Sequence, residues 1–130
     1  MPDHERAMLA YAKLAEISHQ RRQDQGRDKL LVLAGAAACR AGWPDVAARC
    51  RDIIVADNPS HMLARFATFA DALRDDGFQT FLKARRRFCS YERAEHLLNE
   101  LDVDLETAGE GSGLSAGALA QRLLSVAANP

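Results

Sequence analysis

The tripeptide Gly42-Trp43-Pro44 constrains the fold of this chain more than any other feature. Proline has no backbone N–H and is accepted in a helix only near its first turn, so a helix is expected to begin at Pro44. Glycine often ends a helix, because it adopts the left-handed conformation without strain. Apolar side chains recur at helical spacing on both sides of this joint, in residues 27–41 and 45–57. Two helices joined by so short a connection are predicted to pack as an antiparallel hairpin.

The composition favours helices along the whole chain, which at 130 residues fits one domain with a real core. Apolar residues make up 48% of the sequence but rely on alanine, the best helix former, and aromatic residues make up only 6%. Further helices are expected over 3–24, with Gly26 as the stop, over 60–73, over 78–88 and after the capping residue Ser90. The predicted fold class is all-α, with about six helices in successive antiparallel hairpins, as an array or a bundle.

The character of the sequence changes at Asp102. Residues 102–114 are acidic and rich in glycine, without a helical period, and are predicted to form a flexible linker. Residues 115–130 resume an amphipathic pattern, with Ser115 as the cap and with Leu119, Leu123 and Val126 on one face. We therefore expect a helical domain over residues 1–101, the linker, and a tethered C-terminal helix that docks on the body or on a neighbour.

One segment resembles a tetratricopeptide repeat. In residues 28–61, Leu31 takes the first large position, Ala34–Gly35 the small pair and Ala38 the next position, while Gly42 falls at the turn, Ala47 takes the small position of the second helix and Pro59 closes the unit. Arg51 stands where the family has an aromatic residue, and the next frame, 62–95, does not fit. The resemblance implies a protein-binding scaffold, in which Gly35 and Ala47 bring the two helices of the hairpin together.

The net charge and the cysteine content indicate which partners and which cellular compartment to expect. The net charge is about −1, which excludes a global attraction to nucleic acid or to a membrane surface. No apolar run approaches the roughly 20 residues that span a bilayer, and the charged N-terminus does not suit a signal peptide. The three cysteines, Cys39, Cys50 and Cys89, have no metal-binding spacing, so we expect reduced thiols in a cytoplasmic protein.

Two residue groups carry a chemical and a structural interpretation side by side. Cys39 and Cys50 lie on the two helices of the hairpin, so they are either a redox pair or small core residues. Glu92, His96 and Glu100 are spaced four apart, so they are either metal ligands on one helix face or ion pairs on a solvated one. The structural interpretation is favoured for both groups, and no metal site is predicted.

The densest basic cluster consists of Lys83, Arg85, Arg86, Arg87 and Arg93. It is interpreted as a solvated face, as a protein-binding patch, or as a phosphate-contacting surface for nucleic acid, which is the weakest option because base-stacking aromatic residues are not interleaved with it. The acidic residues that follow could also cover the cluster within the same chain.

The sequence carries no enzyme signature. It has no phosphate-binding loop, no nucleophile elbow, no HExxH pair and no paired ExxH motif, so neither catalytic residues nor a cofactor are predicted. The predicted function is a helical interaction module that receives a partner peptide or helix in an interhelical groove. The alternatives are a nucleic-acid-binding protein and a homo-oligomer that docks its C-terminal helix on a neighbour. The residues predicted to contact the partner are Arg40, Arg51, Arg65, Lys83, Arg85, Arg86 and Arg87.

Overall fold

The fold is all-α, as the sequence predicts. A computed structural model describes residues 3–103 and 114–128, and this part of the chain contains helices and turns but no strand. The elements are α1 (His4–Gln20), α2 (Asp24–Ala41), α3 (Pro44–Asp57), a 3-10 turn (Met62–Arg65), α4 (Phe69–Leu73), α5 (Asp76–Phe88), α6 (Tyr91–Glu100) and α7 (Ala116–Ala127). None of these helices combines the length and the hydropathy that crossing a lipid bilayer requires.

The hairpin joint at residues 42–44 forms as the sequence predicts. Gly42 ends α2 in the left-handed conformation, with φ of 82°. Trp43 N–H then donates to the Ala38 carbonyl oxygen at 2.8 Å, which satisfies one of the last acceptors of α2. Pro44 is the first residue of α3, where its missing N–H removes no helical hydrogen bond. The predicted caps Ser90 and Ser115 also form, each accepting from a backbone N–H three residues on.

Helix α2 is the centre of the molecule. Every residue from Leu30 to Ala38 is buried, because α1, α3, α4 and α5 all pack against this helix. A helix that is surrounded on all sides needs small side chains where its neighbours approach closely, and the buried part of α2 supplies them as alanines and one glycine. At Gly35, however, the close neighbour is the ring of Phe69, which a Cβ atom would meet at 2.2 Å. The expectation that Gly35 makes room for α3 is therefore wrong; it makes room for α4.

Two predicted helix boundaries are wrong. Helix α1 ends at Gln20 rather than near residue 24, because Arg22 takes the left-handed conformation, with φ of 59°, and turns the chain without glycine. Gly26 consequently lies in the first turn of α2. The single helix predicted over residues 60–73 is instead a 3-10 turn and the short α4, separated by extended backbone at Phe66 and Thr68.

Arg51 explains part of this break. Its guanidinium donates from two nitrogens to the Phe66 carbonyl oxygen, at 3.1 and 2.8 Å. Thr68, two residues after Phe66, is the N-cap of α4, and its hydroxyl accepts from the Asp71 N–H. Side chains thus provide the hydrogen bonds that a continuous helix would have made with its own backbone.

The C-terminal helix α7 packs on its own chain, mainly against α1 and also against α3. Its buried face includes Leu119, Ala120, Leu123 and Leu124, whereas Val126, which was predicted to face inward, is 37% exposed. The indole ring of Trp43 covers Gly117, where an added Cβ atom would lie 2.3 Å from the ring. Most of the predicted linker, 104–113, falls outside the described residues.

Arg27 ties the C-terminus of α7 to the body. Its side chain is 4% exposed and donates to the Asp28 carboxylate, to the Asp57 carboxylate at the end of α3, and to the Ala127 carbonyl oxygen at 3.3 Å. It also lies 3.2 Å from Nδ1 of His19. A buried charge is tolerated only when it is paired and hydrogen-bonded, and Arg27 meets this condition with groups from α1, α2, α3 and α7.

Candidate functional site

A groove of about 520 Å³ lies where the corner between α5 and α6 crosses the α1–α2 hairpin. The corner is held in place by Tyr11 on α1, whose hydroxyl donates to the Cys89 carbonyl oxygen at 3.0 Å. The groove lies beside this contact and is lined by residues of α1, α2, α5 and α6. Its volume falls within the range of about 300–1,000 Å³ that is typical of ligand pockets. We call it the Arg40 groove after one of the two arginines that line it.

The floor of the Arg40 groove is apolar. It is formed by Ala7 from α1 and by Leu33, Ala36 and Ala37 from the second half of α2. Three of these four residues are alanines, whose short side chains leave space beside α2. Leu33, Ala36 and Ala37 are each at most 5% exposed, so only a small part of each borders the groove. The floor can therefore receive an apolar group of a ligand.

Two arginines line the apolar floor. Arg40, in the last turn of α2, and Arg86, near the end of α5, both border the groove. Within residues 3–103 and 114–128, no carboxylate lies within 4.0 Å of either guanidinium. Partial desolvation and, second, the neighbouring charge of Arg86 lower the pKa of Arg40. The pair therefore creates a positive potential that an anionic ligand would relieve.

Two acidic residues, Asp3 and Glu92, also line the groove. Asp3 is the N-cap of α1, and its carboxylate accepts from the Arg6 N–H at 3.0 Å. Glu92 lies in the first turn of α6, where a negative charge is stabilised by the helix dipole. These carboxylates complement the two helix N-termini that open onto the groove. Neither carboxylate lies within 4.0 Å of the Arg40 or Arg86 guanidinium, so no ion pair among the described residues neutralises the two arginines.

Tyr91 forms part of the wall and is fixed by a neighbouring ion pair. Its hydroxyl donates to the Glu95 carboxylate, which also accepts from Nε of Arg6 at 2.6 Å. Burial and this hydrogen bond raise the pKa of Tyr91 to about 12, and the same hydrogen bond lowers the pKa of Glu95. Burial likewise raises the pKa of Tyr11. Both tyrosines are neutral near pH 7 and act as fixed walls rather than as nucleophiles.

The structure separates the residues that were predicted to contact a partner. Arg40 and Arg86 meet in the groove, but Arg65, Lys83 and Arg87 are exposed and lie outside it. Arg51 is committed to the Phe66 carbonyl described above. Arg85 borders a different cavity, with its guanidinium 4.6 Å from the Phe81 ring centroid. The basic cluster of α5 is thus divided among different surfaces.

The cysteines and the histidine ladder show no assembled site. Cys39, Cys50 and Cys89 are free thiols. Burial raises the pKa of Cys50 to about 12, with a smaller contribution from Cys39, and a protonated thiol is a poor nucleophile. His96 pairs with Glu100 at 2.9 Å on an exposed face of α6. No group of three or more potential metal ligands occurs among the described residues.

Sequence reasoning did not identify the tyrosine walls or Arg27. The partner of the Tyr11 hydroxyl is 78 residues away in sequence, and that of the Tyr91 hydroxyl is 4 residues away. Nothing local distinguishes Arg27 from the exposed arginines near it. Comparisons with protein-family models, with curated proteins and with solved structures found no match.

Proposed function

We propose that this protein is a non-catalytic binding module that receives an acidic peptide segment of a partner protein in the Arg40 groove. The observation that carries the proposal is the pair of arginines beside an apolar floor, with no carboxylate of the described chain bound to either guanidinium. Arginine is well suited to this role because its planar fork binds carboxylates with two parallel hydrogen bonds.

The lining of the groove also supports a peptide, because its alanine side chains leave room for one apolar anchor. A peptide with an apolar residue next to Asp or Glu would place the anchor against Ala36 and Ala37 and the carboxylate between Arg40 and Arg86.

A random peptide library, selected against the immobilised protein, tests this proposal. Selection on the wild-type chain should enrich peptides that combine Asp or Glu with an adjacent apolar residue. The same selection on the double variant Arg40→Gln, Arg86→Gln should lose this enrichment. The matched control, Arg65→Gln with Arg87→Gln, makes the same change in net charge at two exposed residues outside the groove and should keep it.

Two outcomes would contradict the proposal. If the control loses the enrichment as completely as the groove variant does, the attraction is a property of overall charge and not of the groove. If neither variant changes the selected sequences, the peptides bind at another surface. The alternatives of nucleic-acid binding and of assembly through α7 stay predictions, and the division of the α5 cluster among different surfaces makes a single phosphate-contacting face less favourable.

A further inference from the structure

A second cavity, of about 230 Å³, lies between α2, the chain that follows α3, and α5. It shares no lining residue with the Arg40 groove. Its volume is below the range of about 300–1,000 Å³ found for pockets that enclose a whole drug-sized molecule, so it suits a small group. Lys29, His61 and Arg85 line it together with the ring of Phe81, and we call it the Arg85 cavity.

Arg85 carries an unsatisfied donor. Its Nε atom is buried and has no hydrogen-bond partner among the described residues. The face of the guanidinium lies over Phe81, at 4.6 Å from the ring centroid, which orients the group but provides no acceptor for the N–H. A buried donor without a partner costs free energy, and native structures satisfy such groups with water or with a ligand.

The other polar groups of the cavity are mainly donors too. Nδ1 of His61 accepts from the Leu63 N–H at 3.1 Å, so the neutral ring must carry its proton on Nε2. The Asn58 side-chain oxygen accepts from the Ser60 N–H at 3.2 Å, which leaves the amide nitrogen as the group able to donate. Lys29 also borders the cavity, and its ammonium nitrogen lies 4.7 Å from the centroid of the Phe88 ring.

The single carboxylate of the cavity does not balance these donors. Asp28 already accepts from the Arg27 guanidinium, at 3.2 Å from Nε and 3.1 Å from the second nitrogen. Lys29 and Arg85 have no carboxylate within 4.0 Å in the described part of the chain. The cavity thus offers two positive charges and several N–H groups, and it calls for a compact ligand with several acceptor oxygens.

We propose that the Arg85 cavity binds a phosphoryl group, either as free phosphate or as the phosphate of a monoester. A tetrahedral phosphate presents more acceptor oxygens than a carboxylate does, and arginine and lysine are the residues that commonly bind it. The aromatic face of Phe81 fixes the direction of the arginine fork. Binding would place acceptor oxygens beside the guanidinium group of Arg85, which has no carboxylate partner among the described residues.

A titration of the full-length, isotopically labelled chain with inorganic phosphate, followed by nuclear magnetic resonance, tests the proposal. Saturable shifts are expected at Asp28, Asn58 and His61, and the pKa of the His61 imidazole should rise when the anion binds. The variant Arg85→Gln should weaken binding by about tenfold or more, the loss expected for one charge-assisted contact. Arg87→Gln, an exposed site on the same helix, should leave the affinity unchanged.

Acetate and phosphoserine distinguish the ligand classes. If acetate binds as tightly as phosphate, or if no saturable binding is seen, the proposal is overturned. It is also overturned if Arg87→Gln weakens binding as much as Arg85→Gln does. Tighter binding of phosphoserine than of phosphate identifies a monoester as the ligand, and the reverse order identifies the free anion.

Folding and independence from the groove need their own controls. Should Arg85→Gln lose its helical circular dichroism, Lys29→Gln removes the second cation and must weaken phosphate binding in its place. Because the groove and the cavity share no residue, peptides selected by the Arg40 groove should bind Arg85→Gln with unchanged affinity. The two proposals can therefore fail separately.

Discussion

Arg27 and the pair Arg40 and Arg86 show two opposite uses of arginine in one small domain. Arg27 is 3% exposed and is neutralised by carboxylates of its own chain, while its remaining donors reach the C-terminus of α7. Arg40 and Arg86 border an open groove and have no carboxylate partner in the described residues. A charge that the fold satisfies contributes to stability, whereas a charge that the fold leaves unmatched is available for a partner. We therefore expect substitution of Arg27 to lower the stability of the fold, and substitution of Arg40 and Arg86 to weaken the binding of a partner.

The largest effect is expected for Arg27→Ala. This change removes the cation that joins α2, α3 and α7 and leaves the carboxylates of Asp28 and Asp57 without their shared partner. The free energy of unfolding should fall by about 2–4 kcal/mol, because a hydrogen-bonded, buried ion pair is broken on one side only. Urea denaturation measures the loss. A change below about 0.5 kcal/mol, as is usual for surface sites, would show that the network is not what stabilises this end.

The next largest effect is expected at the contact between Trp43 and α7. In Gly117→Ala the new Cβ atom would lie 2.3 Å from the indole ring, so the ring or the helix must shift. Such overpacking costs about 1–3 kcal/mol, partly offset by the better helix propensity of alanine. Thermal melts and the Trp43 fluorescence spectrum report the change.

Gly26→Ala is the matched control for Gly117→Ala. Gly26 also lies in a helix, but the nearest atoms to an added Cβ are 4.0 Å away. The propensity gain should therefore appear alone, as a stabilisation of up to about 1 kcal/mol. Equal effects of the two substitutions would contradict the close packing of Trp43 on α7.

A smaller effect on stability separates the groove from the Arg27 network. The double variant Arg40→Gln, Arg86→Gln should unfold within about 0.5 kcal/mol of the wild-type chain, or be slightly more stable, because two like charges that repel each other are removed. Urea denaturation of this double variant and of Arg27→Ala compares the two losses in the free energy of unfolding. A loss as large as that of Arg27→Ala would mean that the groove arginines are structural.

The smallest effect is a pH dependence carried by His61. Burial lowers the pKa of His61, while Asp28 opposes the shift and Arg85 adds to it; Lys29 also faces the same cavity. Because the unfolded state binds the proton more tightly, stability is complete above about pH 6.5 and declines as the pH falls toward the lowered value. Urea melts at about pH 7.5 and pH 5.5 should show this decline, and His61→Gln should reduce it. A decline of the same size in His61→Gln would assign it to other groups.

The fold was predictable where one residue type decides the backbone. Gly42 and Pro44 fix a helix end and a helix start through their own chemistry, and Ser90 and Ser115 cap helices through a hydroxyl three residues from its donor. The break at Phe66 was not predictable, because it depends on Arg51, which lies 15 residues earlier in the chain. Local signals therefore defined the end of α2 and the starts of α3, α6 and α7. The hydrogen bonds of Arg51, in contrast, broke the helix that was predicted over residues 60–73.

The candidate site was predictable only in part, for the same reason. The prediction that Arg40 and Arg86 contact a partner stays a prediction, and the sequence grouped Arg86 with Arg85, which neighbours it in the chain. Successive residues of a helix point about 100° apart, so adjacent arginines border different cavities once neighbouring helices occupy the space between them. Whether an arginine pairs with a carboxylate of its own chain depends on which helices pack together. Arg27 of α2, for example, pairs with Asp57 at the end of α3.

The most direct test of the account is the dissociation constant of one selected acidic peptide, measured by fluorescence anisotropy against three chains. The account predicts that Arg40→Gln with Arg86→Gln weakens binding by about a hundredfold, as expected for two charge-assisted contacts, and that binding to the wild-type chain falls with added salt. Arg65→Gln with Arg87→Gln should bind within about twofold of the wild-type chain. Equal affinity of all three chains would contradict the claim that the unmatched arginines of the groove form the binding site.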